Sequence, residues 1–164
     1  MQLTGKEIVN KGIITNYCQE GVQQQGIDVR VDKVFSISSS GSIPAHGKTV
    51  LPDRYEIMSY VDDNKYHLDP GYYELELIEG CEIPCDAVLN FKTRSSLVRC
   101  GALVHSGQFD AGFKTDRMGC FLQVLLPITI ERGSRIAQAI VTQTANVDDE
   151  SLYSGQWQGD KQRK

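Results

Sequence analysis

Apolar and polar residues alternate with a period of two along much of this chain, the pattern of strands with one face buried. Tyr73-Glu74-Leu75-Glu76-Leu77 alternates without a break, and Pro70-Gly71 turns the chain just before it. In residues 26–32, Ile27, Val29 and Val31 alternate with Asp28, Arg30 and Asp32, which predicts a half-buried strand. Ile128-Thr129-Ile130-Glu131 runs to a turn at Arg132-Gly133, and residues 136–142 predict a further strand. The start reads differently. Thr4 and Glu7 form a capping box, Leu3 and Ile8 are spaced for a hydrophobic staple, and Gly12 stops the short helix. Residues 38–42, serines around Gly41, predict a loop and not a domain linker, because strand patterning resumes soon after. The elements predict an all-β sandwich or distorted jelly-roll barrel with a short N-terminal helix.

A length of 164 residues suits one core. The expected division is a β domain over 1–150 and a mobile C-terminal arm over 151–164, polar and glycine-punctuated, with Tyr153 and Trp157 as aromatic anchors. A net charge of −4 argues against a nucleic-acid binder but not against a small anion, for which a local arginine cluster matters more. No apolar run approaches the ~20 residues that cross a bilayer, and the N-terminus does not read as a signal peptide. The expected location is the cytoplasm, of a cell or of a host cell. Cys18, Cys81, Cys85, Cys100 and Cys120 then read as free thiols. Cys81 and Cys85 have no second pair nearby and His46, His67 and His105 are scattered, so no zinc site is expected.

The candidate chemistry lies in residues 91–99 and 107–113, a stretch expected to be β-rich. Arg94, Ser95, Ser96 and Arg99 make either a serine-capped turn with solvated arginines or a phosphate site built from guanidinium forks and hydroxyls. Asp110-Ala111-Gly112-Phe113 is either a plain turn or a base that orients a water, with Phe113 beside a sugar ring. Gln138 stands on a strand, where its amide could donate to a phosphate oxygen.

The order of these motifs resembles the superfamily that unites trimeric dUTPases with dCTP deaminases. Leu68-Asp69-Pro70-Gly71, residues 94–99, residues 110–113, residues 133–138 and the tail 153–158 all stand in the family's sequence. The resemblance implies a homotrimer with sites between subunits and a magnesium-bound deoxynucleoside triphosphate as substrate, with no direct protein ligand to the metal. It also implies roles: Asp110 positions a water against the α-phosphorus, Phe113 packs on deoxyribose, Ser95 and Gln138 reach the phosphates, and Tyr153 with Trp157 closes the site.

The family's deaminases carry a glutamate on the strand after the aspartate motif, and an ungapped count places that position on Cys120. A thiol is a poor substitute for a carboxylate as a proton shuttle. The zinc-deaminase signatures are absent as well. The tail resembles the deaminase ending, however, and not the glycine-rich dUTPase arm. The expected activity is dUTP diphosphatase. A dCTP deaminase or bifunctional enzyme is one rival, and a non-catalytic nucleotide-binding regulator is another. Base discrimination is expected near Ser106, Gly107 and Gln108, with Gln108 the long amide there.

Overall fold

The computed structural model describes residues 1–57 and 64–159; the last five residues of the expected arm, 160–164, lie outside the described residues. Helix α1 (Gly5–Asn10) opens the chain. The strands are β1 (Ile14–Thr15), β2 (Val22–Gln23), β3 (Gly26–Ile37), β4 (Arg54–Glu56), β5 (Lys65–Leu68), β6 (Gly71–Leu77), β7 (Gly80–Glu82) and β8 (Ala87–Thr93). Helix α2 (Ser95–Arg99) follows, then β9 (Ala102–His105), β10 (Lys114–Thr115), β11 (Gly119–Val124), β12 (Ile128–Glu131) and β13 (Arg135–Gln143).

The main sheet runs β8-β13-β3-β6-β11-β9, with β2 and β4 also paired to β3. Its ends curl toward each other. The Thr93 hydroxyl on β8 accepts from the Val104 backbone N–H on β9 at 2.9 Å, so the sheet nearly closes into a barrel. Ile27, Val29, Val31, Leu75, Leu89, Leu122 and Val141 fill the interior. Small antiparallel sheets, β1-β7-β10 and β12-β5, complete the jelly-roll-like architecture.

The N-terminal prediction holds in detail. Thr4 N–H donates to Glu7 Oε2 at 2.8 Å, and Glu7 N–H donates to Thr4 Oγ1 at 3.3 Å. Leu3 and Ile8 are buried, and Gly12 adopts the left-handed φ of +66° that favours glycine after a helix.

Two local expectations fail. Residues 95–99 are not strand but a single helical turn, with Arg94 extended as its N-cap and Leu97 turned inward as its anchor. A five-residue helix shows no periodicity that a sequence can reveal. Strand β3 is not half-buried either: Asp28 and Asp32 are 3% and 1% exposed. Each buried carboxylate is met by two arginines, Asp28 by Arg94 and Arg135, Asp32 by Arg132 and Arg117. Burying a charge costs several kcal/mol unless it is paired this way. Arg30 performs the same service for Glu79, which is wholly buried; its Nε donates to Glu79 Oε1 at 2.6 Å.

Candidate active site

Two groups of predicted residues take shape at opposite ends of β8. At the first end, Leu89 and Phe109 exchange both backbone hydrogen bonds, at 3.0 and 2.9 Å. This bridge pins the segment before the aspartate onto the sheet. Phe109 then joins a run of edge-on aromatic contacts, 5.2 Å to Phe91 and 5.4 Å to Phe113, which continues at 5.4 Å to Tyr153. Strand alternation sends Gln108 and Asp110 away from that cluster. Both are exposed. Gln108 Nε2 donates to Asp110 Oδ1 at 2.8 Å, and Asn90 Nδ2 donates to Gln108 Oε1 at 3.4 Å.

The tail lies over this end. Tyr153 N–H donates to Ala111 O at 2.8 Å, Gln158 Nε2 to Gly112 O at 2.8 Å, and Lys114 N–H to Gln158 Oε1 at 2.9 Å. Gly112 has φ +85°, and a β-carbon there would come within 2.8 Å of Leu152 Cβ, so only glycine lets the tail approach so closely. Gln156 grips the loop before β4 as well, accepting from Thr49 N–H at 3.2 Å and donating to Thr49 O at 2.9 Å. Tail, loop and turn together enclose a cavity of about 430 Å³, lined by Gln108, Asp110, Phe113, Tyr153 and Trp157 of the predicted residues.

Cys120, which the count from Asp110 singled out, lines that cavity too. Sequence reading missed other walls: Leu51 arrives from the loop, and Glu74 and Phe121 from the paired strands β6 and β11. Glu74 is set opposite Phe121 in the β6–β11 register, and Arg54 Nη1 donates to Glu74 Oε1 at 2.7 Å. Alternation in 73–77 marks Glu74 as lying on one face of its strand; only the strand pairing shows what it faces. Cys120 is buried, which pushes its thiol up to about 12, with the Glu74 charge adding to the effect. It is therefore a neutral thiol at physiological pH.

The second group sits at the other end of β8. Arg94 Nε lies 3.2 Å from Asp28 Oδ2, Arg94 Nη1 donates to Arg135 O at 3.0 Å, and Arg135 Nη1 is 3.4 Å from Asp28 Oδ2. Gln138 pairs across to Lys92 on one side and Asp28 on the other. Ser95 and Ser96 open α2 and Arg99 ends it, all three exposed. Burial raises the Asp28 carboxyl above its ordinary range despite the opposing pull of the two arginines. None of Arg94, Ser95, Ser96, Arg99 or Gln138 lines the cavity. Among the described residues, no three His, Cys, Asp or Glu side chains converge as a metal site, and no helix is long and apolar enough to cross a membrane.

Known proteins resemble this chain, some in sequence and one in fold. A deoxyuridine 5'-triphosphate nucleotidohydrolase of Methanocaldococcus jannaschii is 34% identical over 151 residues, which cover 92% of this chain and 95% of the relative. A probable enzyme of the same name from Aeropyrum pernix is 32% identical over 164 residues, covering 98% and 99%. One from Halobacterium salinarum is 35% identical over 144 residues, covering 85% and 84%. The crystal structure of 2'-deoxycytidine 5'-triphosphate deaminase from Agrobacterium tumefaciens superposes with a TM-score of 0.65 at 16% identity, over 88% of this chain and about half (49%) of that one. The dCTP deaminase-like family model matches residues 3–144, and this chain belongs to that family.

Proposed function

We propose that this chain is a dUTP diphosphatase, converting dUTP and water to dUMP and pyrophosphate. The observation that carries the reading is Asp110: a carboxylate on the rim of an aromatic-walled cavity, beneath a closing tail, in a chain whose relatives are named for this activity. Asp110 orients a water and takes its proton as the oxygen attacks the α-phosphorus. The bond from that phosphorus to the bridging oxygen breaks, and its electrons leave on pyrophosphate. Phe113 offers an apolar surface for deoxyribose, and Tyr153 with Trp157 keeps bulk water out.

The charge on the leaving group falls to Arg94, Ser95, Ser96, Arg99 and Gln138. They do not serve the Asp110 of their own chain. Arg94 lies five residues beyond Leu89, the partner of Phe109, which is roughly 17 Å along an extended strand. That is farther than two P–O–P linkages bridge. The spacing supports a site shared between copies, with one chain's cavity facing another's arginine edge. Such a head-to-tail contact closes into a ring, and a homotrimer is the ring proposed here. Val98 on α2 and Leu125 and Leu126 beside its end support it as exposed apolar residues.

The donor set suits Mg²⁺ carried on the triphosphate, since Mg²⁺ favours phosphate oxygens and retained waters over an all-protein cage. When bound, it neutralises charge on the phosphates. Incubation of the purified protein with dUTP and Mg²⁺, followed by chromatography, should yield dUMP and pyrophosphate. Asp110→Asn should lower turnover by roughly 10³-fold while leaving assembly and nucleotide binding intact. Near-normal turnover in that variant rules Asp110 out as the base.

A second reading, deamination of dCTP, is favoured by Glu74, a carboxylate on the cavity wall beside Cys120. Glu74 is already engaged by Arg54, which is why hydrolysis leads. Ammonia release from dCTP is the test.

A further inference from the structure

Gln108 stands where a base-reading amide was expected, yet both ends of its side chain are engaged elsewhere. Its Nε2 donates to Asp110 Oδ1 at 2.8 Å, and its Oε1 accepts from Asn90 Nδ2 at 3.4 Å. The backbone dictates this arrangement. The Leu89–Phe109 bridge sets Asn90 across from Gln108, because antiparallel neighbours step in opposite directions from a paired residue. Phe109 is anchored between Phe91 and Phe113, so Gln108 and Asp110, two residues apart, emerge on the same side. The amide's polarity is fixed as well. A carboxylate only accepts, so the NH₂ end must face Asp110 and the carbonyl end must face the Asn90 donor.

We infer that Gln108, oriented by Asn90, is a positioning residue that holds the Asp110 carboxylate for water activation, and is not the reader of the base. The inference rests on the reading of Asp110 as the base. Gln108 holds one carboxylate oxygen, which leaves Oδ2 for the water. Asp110 is exposed, and among the described residues no backbone group hydrogen-bonds its side chain, so a rotating carboxylate would spend most of its time misaligned; Gln108 removes that freedom.

Steady-state kinetics of Gln108→Leu on dUTP test this. Loss of a well-placed positioning contact should lower kcat on the order of tenfold, with KM within about twofold of the parent. Gln108→Glu, which replaces the donor with a second carboxylate, should lower kcat further. Asn90→Leu, which frees the amide to turn over, should give a smaller fall in kcat. Raised KM with unchanged kcat would show Gln108 reading the base and overturn the inference, as would parental kinetics throughout. Gln108 is exposed, so its substitution does not disturb the core. Asp110→Asn, assayed alongside, separates the two claims. If it turns over dUTP normally, the base itself is misassigned; if it is inactive while Gln108→Leu is unaltered, only the positioning role falls.

Discussion

The two ends of β8 differ in how their charges are used. At the arginine end, Arg94 and Arg135 are already committed to the buried Asp28, and the cluster is part of the barrel. At the aspartate end, Asp110 is exposed and, among the described residues, held by Gln108 alone, over a cavity walled by aromatics and roofed by the tail. One end is a scaffold whose exposed margin, Ser95, Ser96 and Arg99, faces outward. The other is the proposed reaction site, and among the described residues that line its cavity none is a lysine or arginine. On the proposed reading neither is sufficient alone, and the two halves of a working site come from different chains.

The largest effect expected follows from that separation. Asp110→Asn should be inactive, and Ser95→Ala/Arg99→Ala should be severely impaired, since each removes one half of every shared site. Co-expressed, the two should regain activity, up to roughly a quarter of the parental rate if subunits mix at random in a ring. Absence of any recovery would mean that both halves act within one chain. The tail comes next. Truncation after Ser151 removes the hydrogen bonds from Tyr153, Gln156 and Gln158 and should cost about 10- to 100-fold in kcat/KM. Melting temperature should barely change, because the tail lies outside the sheet. A large loss of thermal stability would show that the tail is part of the fold.

Much of the barrel is legible in the sequence because strand alternation is a local signal. The strand over 71–77, β12 and β13 fall where residues 73–77, 128–131 and 136–142 place them. The capping box of α1 is equally local. What escapes depends on distant partners. Asp28 and Asp32 look like solvent-facing residues of an alternating strand until arginines more than 60 residues away arrive to neutralise them. The candidate site is half legible for the same reason. Asp110, Phe113, Tyr153 and Trp157 do meet in one cavity, but Glu74 and Leu51 enter it only through sheet pairing and loop packing. Arg94 and Asp110 are close in the sequence and read as one constellation; helix α2 and strand β9 intervene, and the chain returns to pair Phe109 with Leu89 near the start of β8.

The smallest effect concerns whether the arginine end is stabilised by its ion pairs. Burial holds the Asp28 carboxyl above its ordinary value of 3.8, outweighing Arg94 and Arg135. In the unfolded chain the proton leaves near 3.8, whereas in the folded chain it stays to higher pH. Between those two values the folded state binds more protons, so Asp28's contribution to stability falls as pH rises through the window and is level above it. An asparagine at 28 cannot ionise and escapes that loss. Asp28→Asn should therefore gain on the parent as pH climbs from below 3.8 to neutrality. The gain should be small, because Arg94 and Arg135 oppose the desolvation that drives it. Thermal unfolding of both proteins across that range reads the difference. If the variant instead loses ground as pH rises, the two arginines outweigh desolvation, and the cluster is a stabilising hub instead of a cost borne to set the arginine edge in place.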